Sequence, residues 1–216
     1  MKIVFFVFDR LTALDAVGPY EVLARLPGAE VVFAGPARGP VRTDNGCLAL
    51  MADESIDAID RADVLVVPGG FGTRTLEKDA RVLAWVRAID ATTQITASVC
   101  TGALVLGAAG LLAGRRANTH WAVRPRLAEF GAIPVGERIV RDGKYASAAG
   151  VSAGIDLALA LAAELCGTEV AQAIQLGIEY DPAPPLDAGT PEKAPPAIRD
   201  AVLARVRARD AAVAGR

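Results

Sequence analysis

A thiol, a carboxylate and a glycine-rich loop each stand where an apolar, strand-like run breaks off. Cys100 lies in Thr96-Ala97-Ser98-Val99-Cys100-Thr101-Gly102-Ala103, directly before the helix-like run Leu104-Val105-Leu106-Gly107-Ala108-Ala109-Gly110-Leu111-Leu112. A strand that turns sharply into a helix lifts the residue at the turn above the sheet. It also points that residue at the helix's first N–H groups, whose partial positive charge favours a thiolate. Cys100 is therefore a candidate nucleophile, with an inert packing thiol as the alternative. Asp15, in Leu14-Asp15-Ala16-Val17-Gly18-Pro19, follows the strand-like residues 2 to 8. Facing a thiol it would be a general acid/base, the two groups sharing a proton and titrating as a pair; otherwise it is a turn or helix-entry carboxylate. Gly69-Gly70-Phe71-Gly72 follows Val64-Leu65-Val66-Val67-Pro68. Its glycines would let the backbone approach a reacting atom, so that the N–H groups of Gly70 and Thr101 hold developing charge; taken alone, the loop is a flexible turn. It matches neither GxGxxG nor GxxxxGK[ST], which argues against a nucleotide.

The elements that must position these residues alternate. Strand-like runs near 2 to 8, 29 to 35, 63 to 67 and 94 to 99 are separated by helical patterns at about 18 to 26, 76 to 90 and 101 to 112. This is the signature of right-handed βαβ units and a mostly parallel sheet. Parallel strands end on one edge, so the loops carrying Asp15, Gly70 and Cys100 should meet there. Asn45-Gly46, within residues 41 to 50, and Asp142-Gly143, within 139 to 147, each sit between alternating residues and mark hairpins. A helix is expected from about Val151 to Cys166. Residues 181 to 196 hold six of the thirteen prolines and should be an extended crossing, followed by an amphipathic helix over about 197 to 212 and a short tail to 216. Nothing divides the chain, so residues 1–216 are expected to form one α/β domain.

Composition narrows the function classes. With 216 residues, 52% of them hydrophobic, the chain can bury a full core. The net charge of −2, with basic residues scattered apart from Arg205, Arg207 and Arg209, offers no nucleic-acid or membrane surface. Cys47, Cys100 and Cys166 are odd in number and lack CxxC spacing, which suits a reducing cytoplasm. The apolar N-terminus is too short to span a bilayer and lacks the marks of a signal peptide. One histidine cannot build a His-rich centre, so no catalytic metal is expected. That histidine, in Asn118-Thr119-His120-Trp121, reads more economically as part of a helix start than as a triad member. Asp156 and Glu179-Tyr180-Asp181 are read as structural.

Taken together, these segments resemble the ThiJ/PfpI superfamily, relatives of the class I glutamine amidotransferases. The matching motifs are Leu14-Asp15-Ala16-Val17-Gly18-Pro19-Tyr20-Glu21-Val22-Leu23, Val67-Pro68-Gly69-Gly70, the run from Ser98 to Leu112, Thr119-His120-Trp121-Ala122, Ala153-Gly154-Ile155-Asp156 and Glu179-Tyr180-Asp181-Pro182-Ala183-Pro184-Pro185. The resemblance implies a flavodoxin-like three-layer sandwich with a nucleophile elbow. It carries over Cys100 as nucleophile, Asp15 as its acidic partner, and Gly70 and Thr101 as pocket residues in a cofactor-free homodimer. Thr101, where protease-like members place His, and Asp15, where many chaperone or glyoxalase-like members have Glu, point to the isonitrile hydratase branch. The implied activity is hydration of a small isonitrile to its formamide. Rival readings are a non-catalytic redox or ligand sensor built on Cys100, and a glyoxalase III-like dicarbonyl hydratase. A regulator of the AraC type would need a helix-turn-helix module, for which nothing after Glu179 is suited. Ser147-Ala148-Ala149-Gly150 departs from the Gly-rich sequence expected of that branch, and its methyl groups bear on pocket width.

Overall fold

Strand β1 (Lys2–Phe6) sends alternate side chains into two separate cores, and this explains why its sequence is apolar throughout. Ile3 and Phe5 join one apolar cluster, Val4 and Phe6 the other. A strand covered on both faces reads as a continuous hydrophobic run. The computed structural model describes the backbone of residues 1–214 and the side chains of 1–210, so the last two residues of the expected tail lie outside the described residues. After β1 come α1 (Ala13–Leu23), β2 (Glu30–Gly35), the hairpin β3 (Gly39–Arg42) and β4 (Ala49–Ala52), β5 (Glu54–Ser55) and β6 (Val64–Val67). The chain continues with α2 (Thr73–Leu76), α3 (Ala80–Asp90), β7 (Ile95–Val99), α4 (Gly102–Ala108), β8 (Arg116–Ala117) and a 3₁₀ segment, Trp121–Phe130. It closes with β9 (Ile133–Pro134), β10 (Ile139–Asp142), β11 (Tyr145–Ala148), α5 (Ala153–Cys166), α6 (Thr168–Gly177) and α7 (Pro196–Ala214).

Seven strands form the central sheet in the order β10-β11-β7-β6-β1-β2-β5, parallel except for the antiparallel β10–β11 pair. β6 and β7 repeat the two-faced pattern of β1: Val64, Val66, Ile95, Ala97 and Val99 face one core, Leu65 and Val67 the other. Helices α1, α5 and α6 cover the first core, and α3 with α4 the second, giving the expected three-layer α/β sandwich. The strand order reverses beside β1, with β2 on one side and β6 on the other. Open α/β sheets leave a crevice at such a switch, outside the carboxyl ends of the strands.

Several boundaries differ from those read in the sequence. Helix α1 starts at Ala13 rather than near 18 and runs through Pro19. Proline lacks an N–H, so residue 19 gives no helical bond to the Asp15 carbonyl, but its fixed φ remains helical. The helix expected over 76 to 90 begins only at Ala80, after the short α2 has ended at Leu76, because the Asp79 carboxylate caps a new start by accepting from the Arg81 and Val82 N–H groups at 3.0 and 3.1 Å. Helix α4 stops at Ala108, and the left-handed Gly110 (φ 81°) follows. In the second hairpin Asp142 pairs with Tyr145, so the turn is Gly143-Lys144 with φ 59° at the glycine, as a type II′ turn requires. The first hairpin is present as a separate two-stranded sheet, tied to the loop after β1 by a bridge between Thr43 and Leu11. Helix α6 was not anticipated; Gly167 (φ 91°) separates it from α5.

Helix α4 is apolar on all sides because it lies buried from Gly102 to Gly107. A Cβ on Gly102 would overlap the Val67 carbonyl oxygen and approach that of Pro68 to 2.8 Å. Gly102→Ala is therefore expected to destabilise by about 3 kcal/mol. Gly177→Ala, with open space around it, should change stability by less than about 1 kcal/mol. Denaturant unfolding of the two variants checks the contrast.

Candidate active site

The carboxyl ends of β1, β6 and β7 bring Asp15, Gly69-Gly70 and Cys100 to one place. Val99 ends β7, Cys100 takes a left-handed φ of 54°, and α4 begins at Gly102. Positive φ strains a side-chain-bearing residue, so the conformation has to be held by its surroundings. The Cys100 N–H donates to the Ala148 carbonyl at 3.2 Å, and its own carbonyl accepts from the Thr119 hydroxyl at 2.7 Å. Both backbone groups of the strained residue are thereby fixed. Cys100 remains only 5% exposed.

Asp15 lies in the first turn of α1 and is fully buried. Its Oδ2 accepts the Gly69 N–H at 2.9 Å, while Oδ1 has no hydrogen-bond partner. A Cβ on Gly69 would come within 2.5 Å of the Thr101 nitrogen, 2.7 Å of its Oγ1 and 2.8 Å of Asp15 Oδ2. Only glycine lets the three loops close this tightly. Gly70, with φ 131°, donates its N–H to Thr101 Oγ1 at 2.8 Å. Gly70 and Thr101 do line the pocket, but the Gly70 N–H is already engaged and does not point free into it. The neighbouring Thr101 N–H favours the charged form of the Cys100 sulfur.

Burial decides the protonation of the pair. Desolvation pushes Asp15 up to about 8, and the Gly69 N–H and the neighbouring Cys100 thiol offset this only in part. Desolvation, followed by the Asp15 charge, also holds the Cys100 thiol well above its usual range, and the Thr101 N–H offsets this only in part. The thiolate expected from the helix start is thus not the resting form. At neutral pH both groups are uncharged, a carboxylic acid beside a thiol.

His120 caps the 3₁₀ segment, its Nδ1 accepting the Ala122 N–H at 3.3 Å, as the helix-start reading anticipated. It also lines the pocket, and burial, with Arg74 and Arg124 nearby, lowers its pKa. Asp156 accepts from the Tyr180 hydroxyl at 2.8 Å and pairs with Arg138. The methyl groups of Ala148 and Ala149 do not line the Cys100 pocket; Val151 does. Among the described residues no group of three or more His, Cys, Asp or Glu could hold a metal ion, and no helix is long and apolar enough to cross a membrane.

The pocket above Cys100 encloses about 240 Å³. Its floor is Thr12, Gly70, Cys100 and Thr101, its sides include Phe71, Arg74, His120 and Val123, and its roof is Val202, Arg205, Val206 and Arg209 from α7. Sequence reasoning passed over Arg74 and the roof. The spacing of the four α7 residues, i, i+3, i+4 and i+7, marks one helix face and was the available signal.

Residues 1–164 match the family model described as the DJ-1/PfpI family. Isonitrile hydratase from Pseudomonas putida is 46% identical over 200 residues, covering 93% of this chain and 87% of its own length. Deglycase PH1704 from Pyrococcus horikoshii is 26% identical over 149 residues, covering 68% of this chain and 89% of its own. The crystal structure of a ThiJ/PfpI family protein from Pseudomonas syringae superposes with a TM-score of 0.93 at 39% identity, covering 97% of this chain and 89% of that one.

The raised Asp15 pKa ties stability to pH. Below about 4 the carboxyl is protonated whether the chain is folded or not; between there and about 8 only the folded form keeps the proton. Stability contributed by this group is therefore full at low pH and is lost as pH rises through that window, by an amount on the order of 5 kcal/mol. Asp15→Asn has no such proton to lose. Its unfolding free energy should rise relative to the wild type from pH 4 to pH 8, and a constant difference between the two would contradict the burial argument.

Proposed function

The chain belongs to the DJ-1/PfpI family, and from that premise we propose that it is an isonitrile hydratase, converting R–N≡C to the N-substituted formamide. The observation that carries this reading is the burial of Asp15 and Cys100 together where the loops after β1, β6 and β7 close on Gly69, with one Asp15 oxygen left without a partner. The terminal carbon of an isonitrile accepts both a proton and a nucleophile. An acid and a thiol that meet at one point can deliver the two together.

In the first step Asp15 gives its proton to the terminal carbon and Cys100 Sγ forms a bond to the same atom. The thiol proton passes to the Asp15 carboxylate, so the pair ends with Asp15 protonated and the substrate held as a thioimidate, R–N=CH–S–Cys100. Water then adds to that carbon as nitrogen takes a proton from Asp15, which recovers one from the water. Collapse of R–NH–CH(OH)–S breaks the carbon–sulfur bond, releases R–NH–CHO and returns the proton to sulfur. The Thr101 N–H, which favours the charged form of the sulfur, stabilises the departing thiolate. Gly70 contributes its backbone shape and, through Thr101 Oγ1, fixes that residue. The substrate is a small molecule, no cofactor takes part, and the working form is a cytoplasmic homodimer.

A redox sensor is less well supported, because rapid oxidation needs a thiolate and burial holds the Cys100 thiol well above its usual range.

Cyclohexyl isocyanide, with formamide followed by chromatography, tests the reading. Cys100→Ser is expected to fold and to form no product. Asp15→Asn should turn over about 10²- to 10⁴-fold more slowly. Wild-type activity should fall as pH rises past about 8, where Asp15 loses its proton. Formamide production by Cys100→Ser at the wild-type rate would exclude a thioimidate at Cys100 as the route.

A further inference from the structure

We propose that the natural substrate is an isonitrile whose R group carries an anionic end, a carboxylate, bound by Arg205 and Arg209 on helix α7. The inference rests on the hydratase reading and adds a substrate class to it. Both arginines line the pocket that opens on Cys100, one turn apart on the same helix face as Val202 and Val206.

Two guanidinium groups four residues apart repel each other. Among the described residues, neither has a carboxylate within 4 Å. The guanidinium of Arg209 lies over the Phe71 ring, 4.7 Å from its centroid, which fixes its position while leaving its N–H edge open. A third arginine, Arg74, also lines the pocket, but its Nε donates to Asp210 Oδ1 at 2.8 Å. That bond anchors α7 over the site and uses up the charge of Asp210. Asp44 is the acidic side chain on the pocket wall, and its Oδ2 accepts the Thr12 hydroxyl at 2.8 Å. The charge left facing the cavity from the roof is positive.

The sides carry the apolar Phe71, Val123 and Val151 beside Arg74, His120 and Asp44, and Val202 and Val206 add apolar surface to the roof. A substrate that fits has its isonitrile carbon at Cys100, a hydrocarbon middle, and an anion at the roof. Arginine suits a carboxylate because two parallel N–H groups meet its two oxygens.

The test compares isocyanoacetate and 6-isocyanohexanoate with their methyl esters, which keep the isonitrile and remove the charge. For at least one spacer length, kcat/KM for the carboxylate should exceed that for the ester by about tenfold. The ratio should shrink at high salt and fall towards one in Arg205→Gln/Arg209→Gln. Equal hydration of acid and ester at both lengths would overturn the anionic assignment while the hydratase reading stood. A preference that survived in the double variant would overturn the role of the two arginines. No formamide from any of the four compounds, nor from cyclohexyl isocyanide, would overturn the hydratase reading and this inference with it.

Discussion

The exclusion of water from the Asp15 carboxyl is the constraint from which the chemistry of this site follows. One N–H, that of Gly69, reaches the group, and the second oxygen has no partner. Burial with so little compensation favours the protonated carboxyl. The loops after β1, β6 and β7 produce this exclusion by closing on Gly69, where even a methyl group would collide with Asp15 and Thr101. Strand pairing sets the approach: β6 lies between β1 and β7, so the three loops are neighbours by registry.

Two opposing effects act on Cys100, and their sizes decide the outcome. A helix start stabilises a nearby negative charge by about 0.3–1 kcal/mol at an exposed site. Removing a thiolate from water can move its pKa by up to several units, each worth about 1.4 kcal/mol. Burial wins at Cys100, and an acidic neighbour adds to it. The strained φ of 54° sets where the sulfur leaves the chain, at the turn between β7 and α4.

How much of this was legible in the sequence depends on the range over which each feature is specified. The convergence of Asp15, Gly70 and Cys100 was legible because continuous apolar runs mark strands buried on both faces, and parallel strands end together. The start of α1 was misplaced because Gly18-Pro19 reads as punctuation, while a proline inside a helix already begun is carried by its neighbours. The break after α2 hinges on one side chain, Asp79, turning back to cap α3. Protonation was not legible, since it is set by atoms from several elements at once. Nor was the roof: the ion pair that brings α7 over the pocket joins Arg74 to Asp210, 136 residues apart. The cluster of Arg205, Arg207 and Arg209 was visible, but not the surface it faces.

The acid, the thiol and the loop between them are all supplied before residue 103, whereas the roof arrives with the last helix, beyond the residues 1–164 that match the family model. The division gives the protein two parts that can change independently over evolutionary time. Replacements at Val202, Arg205, Val206 or Arg209 would alter which molecules are admitted while leaving the acid and thiol in place. Lineages of such a protein can diversify their diet by rewriting one exposed helix, without passing through ancestors that have lost the reaction.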